Sequence, residues 1–242
     1  QPVLTAWSTP GAALIAASSG LSMAEGIGAF IVCALLLVPG LMCDATVWQP
    51  LLPALQAGGR DCRVVDHGDA DRLPQMAQQL LDSAPPRFAL AGHSMGARVA
   101  LEVLRSAPDR VARVALLDTG YLARAAGAPG EEEARKRQAL LDLARRDGVR
   151  AMAVQWVQGM VHPDRLQDAP LIDAIVDMFA RKSPDVFERQ IRALLQRPDA
   201  TEVLRAIRVP TLVLCGRQDS WAPVPQHEAM HALIPGAVFE VI

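Results

Sequence analysis

A serine flanked by glycines two residues away on each side is the part of this sequence best suited to chemistry. The pentapeptide GHSMG spans Gly92 to Gly96, between the apolar run 87–92 and the helix-forming stretch 97–107. A sharp strand-to-helix turn strains the backbone at its apex, and the chain around it needs residues without a bulky side chain. We therefore predict that Ser94 is a nucleophile. The amide of Met95, at the start of the helix, is suited to stabilise an oxyanion.

The elements that must position this serine are short apolar runs that alternate with helical patterns. The runs predict strands at 34–40, 63–66, 87–92, 113–118 and 211–216, with a last strand in AVFEVI. Apolar spacing predicts helices at 71–84, 97–107 and 223–233. This alternation is typical of a parallel sheet that is covered by helices on both faces.

Between Asp118 and Arg208 the strand pattern is replaced by helical patterns. Five helices are predicted there, at 131–147, 149–160, 170–181, 184–196 and 200–207. They suggest a helical insertion that lies over the strand ends. We therefore expect a core of residues 31–118 and 208–242, with a helical cap at 119–207. Residues 1–30 are an atypical segment, compatible with disorder, and the run 27–38 is too short to cross a membrane and is interpreted as a buried strand.

Three segments together resemble the α/β-hydrolase superfamily, in its capped serine hydrolases that act on small substrates. LLLVPGLMCDATVWQPLLPAL resembles the first oxyanion segment of the family, RFALAGHSMGARVALE its nucleophile elbow, and VPTLVLCGRQDSWAPV its acid-bearing strand end. The resemblance implies an α/β-hydrolase fold, with a mostly parallel sheet and a cap between two late strands. Where many members carry His-Gly, this chain has Pro39-Gly40, and the resemblance then implies that the Leu41 amide is the second oxyanion donor.

A serine nucleophile needs a base to take its proton and a carboxylate to orient that base. In this fold the acid follows the serine along the chain and the histidine follows the acid. Asp219, just past the run 211–216, is the preferred acid. Asp118 is the alternative, although a polar residue at a strand end in contact with the insertion is its simpler interpretation.

The histidines do not obviously supply the base. His93 adjoins the serine and His67 lies in a polar loop, whereas His162 in the insertion is a candidate substrate contact, as is Trp156. His227-Glu228-Ala229-Met230-His231 formally matches the H-E-x-x-H string of zinc peptidases, but the predicted helix has barely three turns, and we expect no metal. The resemblance implies that this helix is an outer one packed on the sheet, so His227 is not expected to reach the edge where Ser94 lies.

The resemblance implies a histidine in a loop roughly 25–30 residues beyond the acid, which falls just past Ile242. We therefore expect a fragment that is truncated before its catalytic histidine and is nearly inactive as it stands. An inactive binding protein on the same fold is the alternative.

Composition limits the partners and the setting. The net charge of −2 gives no reason to expect nucleic acid or an anionic membrane surface as a partner. The four cysteines show no metal-binding spacing and indicate free thiols in a reducing compartment, so a cytoplasmic protein is expected. The predicted function is a cofactor-free serine hydrolase that cleaves a small carboxylic ester or related acyl substrate through an acyl-enzyme. Haloperoxidase or C–C bond hydrolase chemistry on the same machinery remains open, and the oligomeric state is not predicted.

Overall fold

A six-stranded sheet forms the centre of the computed structural model, which describes residues 34–57 and 59–242. The strands are β1 (Ala34–Val38), β2 (Cys62–Val64), β3 (Phe88–His93), β4 (Val111–Leu117), β5 (Thr211–Cys215) and β6 (Val238–Val241). Their order in the sheet is β2-β1-β3-β4-β5-β6, and every neighbouring pair is parallel. All carboxyl ends therefore meet at one edge, which is where α/β sheets build their sites.

Four helices follow the strands of this sheet. They are α1 (Leu52–Gln56), α2 (Leu73–Ser83), α3 (Met95–Ser106) and α9 (Val224–Leu233). In α2 the buried side chains of Leu73, Met76 and Leu80 recur at helical spacing and form one apolar face. β1 is apolar throughout and nearly all buried, as expected of a parallel strand that is covered on both faces.

Five helices lie between β4 and β5, and we call residues 119–207 the helical segment. They are α4 (Ala128–Asp147), α5 (Val149–Trp156), α6 (Ala169–Ala180), α7 (Pro184–Leu195) and α8 (Thr201–Ala206). Gly148, at φ 91°, ends α4 and begins α5, because glycine adopts this conformation without steric cost. The side chains of Asp168 and Ser183 accept amide hydrogen bonds at the first turns of α6 and α7.

The helical segment contacts loops that follow several strands at their carboxyl ends. Arg181 pairs with Asp44 after β1, and Arg192 pairs with Asp71 after β2. After β5, the indole of Trp221 donates a hydrogen bond to a carbonyl of the helical segment at 3.1 Å. These contacts bring the helical segment to the edge of the sheet where the site residues lie.

The predicted strands and long helices are confirmed, with boundaries that differ by a few residues. β1 stops at Val38 because Pro39 cannot donate to a sheet ladder. Two elements were not predicted from the sequence, α1 and a 3₁₀ turn at Ala45–Trp48, which are short and lie beside prolines. Residues 27–33 of the strand predicted at 27–38, and the segment 1–30, lie outside the described residues. Among the described helices, none combines the length and the apolar character that a membrane crossing requires.

Candidate active site

Ser94 occupies the junction between β3 and α3 with a strained backbone. Its φ of 54° and ψ of −116° are rarely adopted by residues other than glycine. The Ser94 amide donates to the carbonyl of Leu117 at 2.9 Å, and the Ser94 carbonyl accepts from the hydroxyl of Thr119 at 2.9 Å. The end of β4 and the loop that follows it therefore hold this backbone from both sides, which offsets its strain.

The two glycines around Ser94 lie where no side chain fits. A Cβ on Gly92 would be 2.4 Å from the Cα of Ala97, and one on Gly96 would be 2.1 Å from the carbonyl oxygen of Val38. Both obstacles are backbone atoms, which cannot move aside cheaply. The chain passes this closely because the sharp turn brings the start of α3 against the ends of β1 and β3.

The turn after β1 lies directly against the serine. A Cβ built on Gly40 would be 3.2 Å from the Cβ of Ser94. Leu41 and Met95 are both buried residues, and within the described part of the chain the backbone amide of neither donates to a backbone or side-chain acceptor. Most backbone amides of buried residues have such an acceptor. These two donors, one of them at the N-terminus of α3, are suited to an oxyanion formed at Ser94.

Two buried side chains that the analysis of the sequence missed hold this turn. His67 Nε2 lies 2.8 Å from the carbonyl oxygen of Pro39, and Gln190 of α7 accepts a hydrogen bond from the Met42 amide at 2.7 Å. The one signal for Gln190 in the sequence is its position, because a glutamine stands there among the apolar residues that form the buried face of α7. For His67 the sequence offers no such signal, since it lies in a polar loop.

The two candidate acids lie near each other but in different environments. Asp219 is partly exposed in the loop after β5, and its Oδ1 accepts from the amides of Trp221 at 2.8 Å and Ala222 at 3.0 Å. Asp118 is buried and accepts from the amide of Gly216 at 3.0 Å. Burial, and then the nearby charge of Asp219, raise the pKa of Asp118 to about 8. Asp118 is therefore protonated at neutral pH, and this favours Asp219 as the charged acid.

His227 is closer to the nucleophile than the sequence suggested. We expected an outer helix that does not reach this edge, but His227 and Gln226 in the first turn of α9 hydrogen-bond to Thr119, two residues past the end of β4. His227 is fully buried, with Nε2 accepting from the Thr119 amide at 3.0 Å and Nδ1 lying 3.3 Å from the carbonyl oxygen of Pro223. Burial lowers the pKa of His227, so the ring is neutral at neutral pH. Its Nε2 lone pair is engaged and does not serve Ser94.

The remaining histidines also serve other contacts. His231 Nε2 lies 3.0 Å from the carbonyl oxygen of Ala237, and His162 Nδ1 accepts from the amide of Asp164 at 3.2 Å. The hydrogen bonds of His67, His227 and His231 thus go to backbone groups and not to the hydroxyl of Ser94. Nor does the described part of the chain hold a group of three or more side chains that could ligate a metal.

Trp156 is the aromatic centre of the helical segment nearest the acid. Its ring centroid lies 5.4 Å from the ring centroids of both Phe179 and Phe187. It lies 5.7 Å from the ring centroid of Trp221, in the loop that carries Asp219. The indole Nε1 is buried, and no acceptor for it exists within the described residues. This donor can serve an acceptor on a bound molecule.

Comparison with known proteins defines the class of this chain. A family model described as alpha/beta hydrolase fold matches residues 34–242. The chain therefore belongs to the α/β-hydrolase fold family, as the three sequence segments suggested. A second model, described as benzoate membrane transport protein, matches residues 1–54, of which 1–33 lie outside the described part.

Individual relatives are hydrolases. The pimeloyl-[acyl-carrier protein] methyl ester esterase of Photobacterium profundum is 31% identical over 83% of this chain and 82% of its own length. A protein from Variovorax paradoxus described as a candidate carbamate hydrolase is 30% identical over 78% of this chain and 75% of its own. A thermophilic esterase from Thermogutta terrifontis, solved with malate bound, superposes with a TM-score of 0.72 at 27% identity, over 87% of this chain and 80% of that one. The chain is thus a hydrolase-type member of the family.

Proposed function

We propose that the protein is a serine hydrolase that cleaves a small carboxylic ester, or a related acyl compound, through an acyl-enzyme. The observation that carries this proposal is the pair of backbone amides of Leu41 and Met95, which lack an acceptor within the described residues and belong to the two turns that meet at Ser94. An esterase among the similar proteins supports the choice of an ester over other acyl groups.

The reaction follows from these groups. The Ser94 oxygen attacks the carbonyl carbon of the ester while a histidine base takes the hydroxyl proton. The negative charge that develops on the carbonyl oxygen is stabilised by the Leu41 and Met95 amides. Collapse of the tetrahedral intermediate breaks the bond to the alcohol, which leaves with the proton from the base. Water, activated by the same base, then attacks the acyl-enzyme, so that the carboxylic acid is released and Ser94 is regenerated.

We propose Asp219 as the acid that orients this histidine base. The amide of Ile242 donates to the carbonyl of Cys215 at 3.0 Å, and the amide of Arg217 donates to the carbonyl of Ile242 at 2.7 Å. The chain at Ile242 therefore still runs beside the segment that leads into Asp219.

The helical segment would select the substrate as a cap over the strand ends. Trp156 supplies a buried N–H donor, and His162 is a partly exposed ring on the same segment. Trp221 is 54% exposed although its indole is tied to the helical segment. Its exposed apolar face suits the hydrocarbon part of a small ester.

Covalent labelling of the full-length protein with a fluorophosphonate tests this proposal. We expect labelling at Ser94, none in Ser94→Ala, and strongly slowed labelling in Asp219→Asn, whereas Asp118→Asn should label like the wild type. If the full-length protein binds small esters but is not labelled, the inactive binding protein is the correct interpretation.

A further inference from the structure

We propose that Gln190 is a positioning residue for the oxyanion donors and acts from the helical segment on the turn that carries Leu41. This inference rests on the proposed serine hydrolase function. Gln190 Oε1 accepts from the Met42 amide at 2.7 Å across 148 residues of sequence, and Gln190 is only 2% exposed. The contact joins the amide directly after Leu41 to a helix far along the chain.

The turn that receives this hydrogen bond has an unusual conformation. The amide of Cys43 donates to the carbonyl of Gly40 at 3.1 Å, and Met42, at φ 61°, is the third residue of the turn. Leu41 is not among the residues with positive φ, so the turn is of type II. Such turns place glycine or asparagine at the third position, because other residues are strained there. The hydrogen bond to Gln190 therefore offsets strain at Met42.

The same hydrogen bond fixes the orientation of the central peptide of the turn. Types I and II differ by a flip of that peptide, between Leu41 and Met42. Without Gln190, a flip would relieve the strain at Met42 and would move the adjoining peptide, which carries the Leu41 amide beside Ser94. Gln190 thus acts on the reacting atoms through the turn and not by touching the substrate.

Gln190 is a polar residue on the buried face of α7, where an amphipathic helix normally carries apolar side chains. It lies three residues after Phe187 and four before Leu194, both buried, so it belongs to the apolar face of the helix. A buried amide side chain is costly unless it is hydrogen-bonded. The neighbouring ion pair of Arg181 with Asp44 also links this turn to the helical segment, but it is partly exposed, and water weakens its contribution to fixing the turn.

The inference is tested with the near-isosteric change Gln190→Met, which removes the acceptor, and with Gln190→Glu, which keeps it. The matched control is Gln155→Met, the same change at an exposed position of α5. In the full-length protein we measure kcat and KM for a small nitrophenyl ester, together with hydrogen exchange of the Met42 amide. We expect Gln190→Met to lower kcat by about tenfold to hundredfold with KM changed less than about twofold, because a displaced donor weakens binding of the transition state more than that of the substrate.

Hydrogen exchange of the Met42 amide should become faster in Gln190→Met. In Gln190→Glu, both kcat and the exchange rate should stay close to their wild-type values. Faster exchange with an unchanged kcat, or unchanged exchange and kcat, would overturn the inference. If Gln190→Met does not fold, Gln190→Asn, which shortens the side chain by one methylene, must show the same losses. Turnover that persists in Ser94→Ala would refute the proposed function itself, a result distinct from any outcome at Gln190.

Discussion

Replacing Asp118 by asparagine should change how the stability of the protein depends on pH. Asp118 is buried, and its pKa is raised from 3.8 to about 8 by burial and by the charge of Asp219. Asparagine has nearly the same shape and keeps an oxygen that can accept from the amide of Gly216, which lies 3.0 Å away in the wild type. The substitution therefore removes the titration and leaves the contact.

The direction in which stability changes with pH follows from the number of protons that the folded and the unfolded protein bind. Between about pH 4 and pH 8 the folded protein holds a proton on Asp118 that the unfolded chain has lost, so the stability of the wild type falls as the pH rises. The loss is about 1.4 kcal/mol per pH unit, or about 3 kcal/mol between about pH 5 and pH 7. Above about pH 8 the folded protein also releases the proton, and this contribution stops changing. As the pH rises, the free energy of unfolding of Asp118→Asn should therefore increase by these amounts relative to that of the wild type.

Urea unfolding followed by tryptophan fluorescence, at constant ionic strength from about pH 5 to pH 8, measures this difference. The comparison uses the change with pH and not the absolute stability, so any constant cost of burying the asparagine amide cancels. Asp109→Asn, which removes an exposed carboxyl after α3, is the matched control and should run parallel to the wild type. Parallel curves for Asp118→Asn and the wild type would refute the account of Asp118 as a buried, protonated carboxyl.

Further predictions concern packing and acid stability. Gly96→Ala should destabilise the fold by about 3 kcal/mol or more, because the new Cβ would lie 2.1 Å from the carbonyl oxygen of Val38. The control is Gly159→Ala, in which the new Cβ would lie 4.0 Å from its nearest atom. Its free energy of unfolding should stay within about 1 kcal/mol of the wild type in the same urea assay. In His227, burial lowers the pKa below 6.5, so the unfolded chain binds a proton that the folded protein does not, and stability falls as the pH drops below about 6.5. His227→Gln should lessen this loss between about pH 7 and pH 5, and an equal loss in both proteins would contradict the buried, neutral ring.

The sheet and its helices could be predicted because their signals are local. Parallel strands that are buried on both faces, such as β1, are continuous apolar runs, and the amphipathic helix α2 shows its spacing directly. Ser94 and its glycines could be found for the same reason, because the strain of the turn is confined to five residues. The expected alternation of elements is confirmed on this basis.

The contacts that organise the site could not be predicted, because they join residues distant in sequence. Gln190 was recognised only as part of a helix, and its link to Met42 depends on how the helical segment lies on the sheet. His227 was assigned to an outer helix, and its contact with Thr119 depends on where the first turn of α9 meets β4. Patterns of hydrophobicity indicate which face of a helix is buried, but not which polar group of another element that face will contact.

The position of the helical segment also bears on how the protein folds. Pairing β4 with β5 closes a stretch of roughly ninety residues, while pairing β1 with β3 closes only about fifty. Loop-closure entropy grows only logarithmically, so ninety residues in place of a crossover of about twenty cost the sheet only about 1.4 kcal/mol more. The four strands β1 to β4 can therefore assemble first, with β5 and β6 joining late. Evolution can lengthen, shorten or exchange the helices of this insertion at little cost to the sheet that supports them.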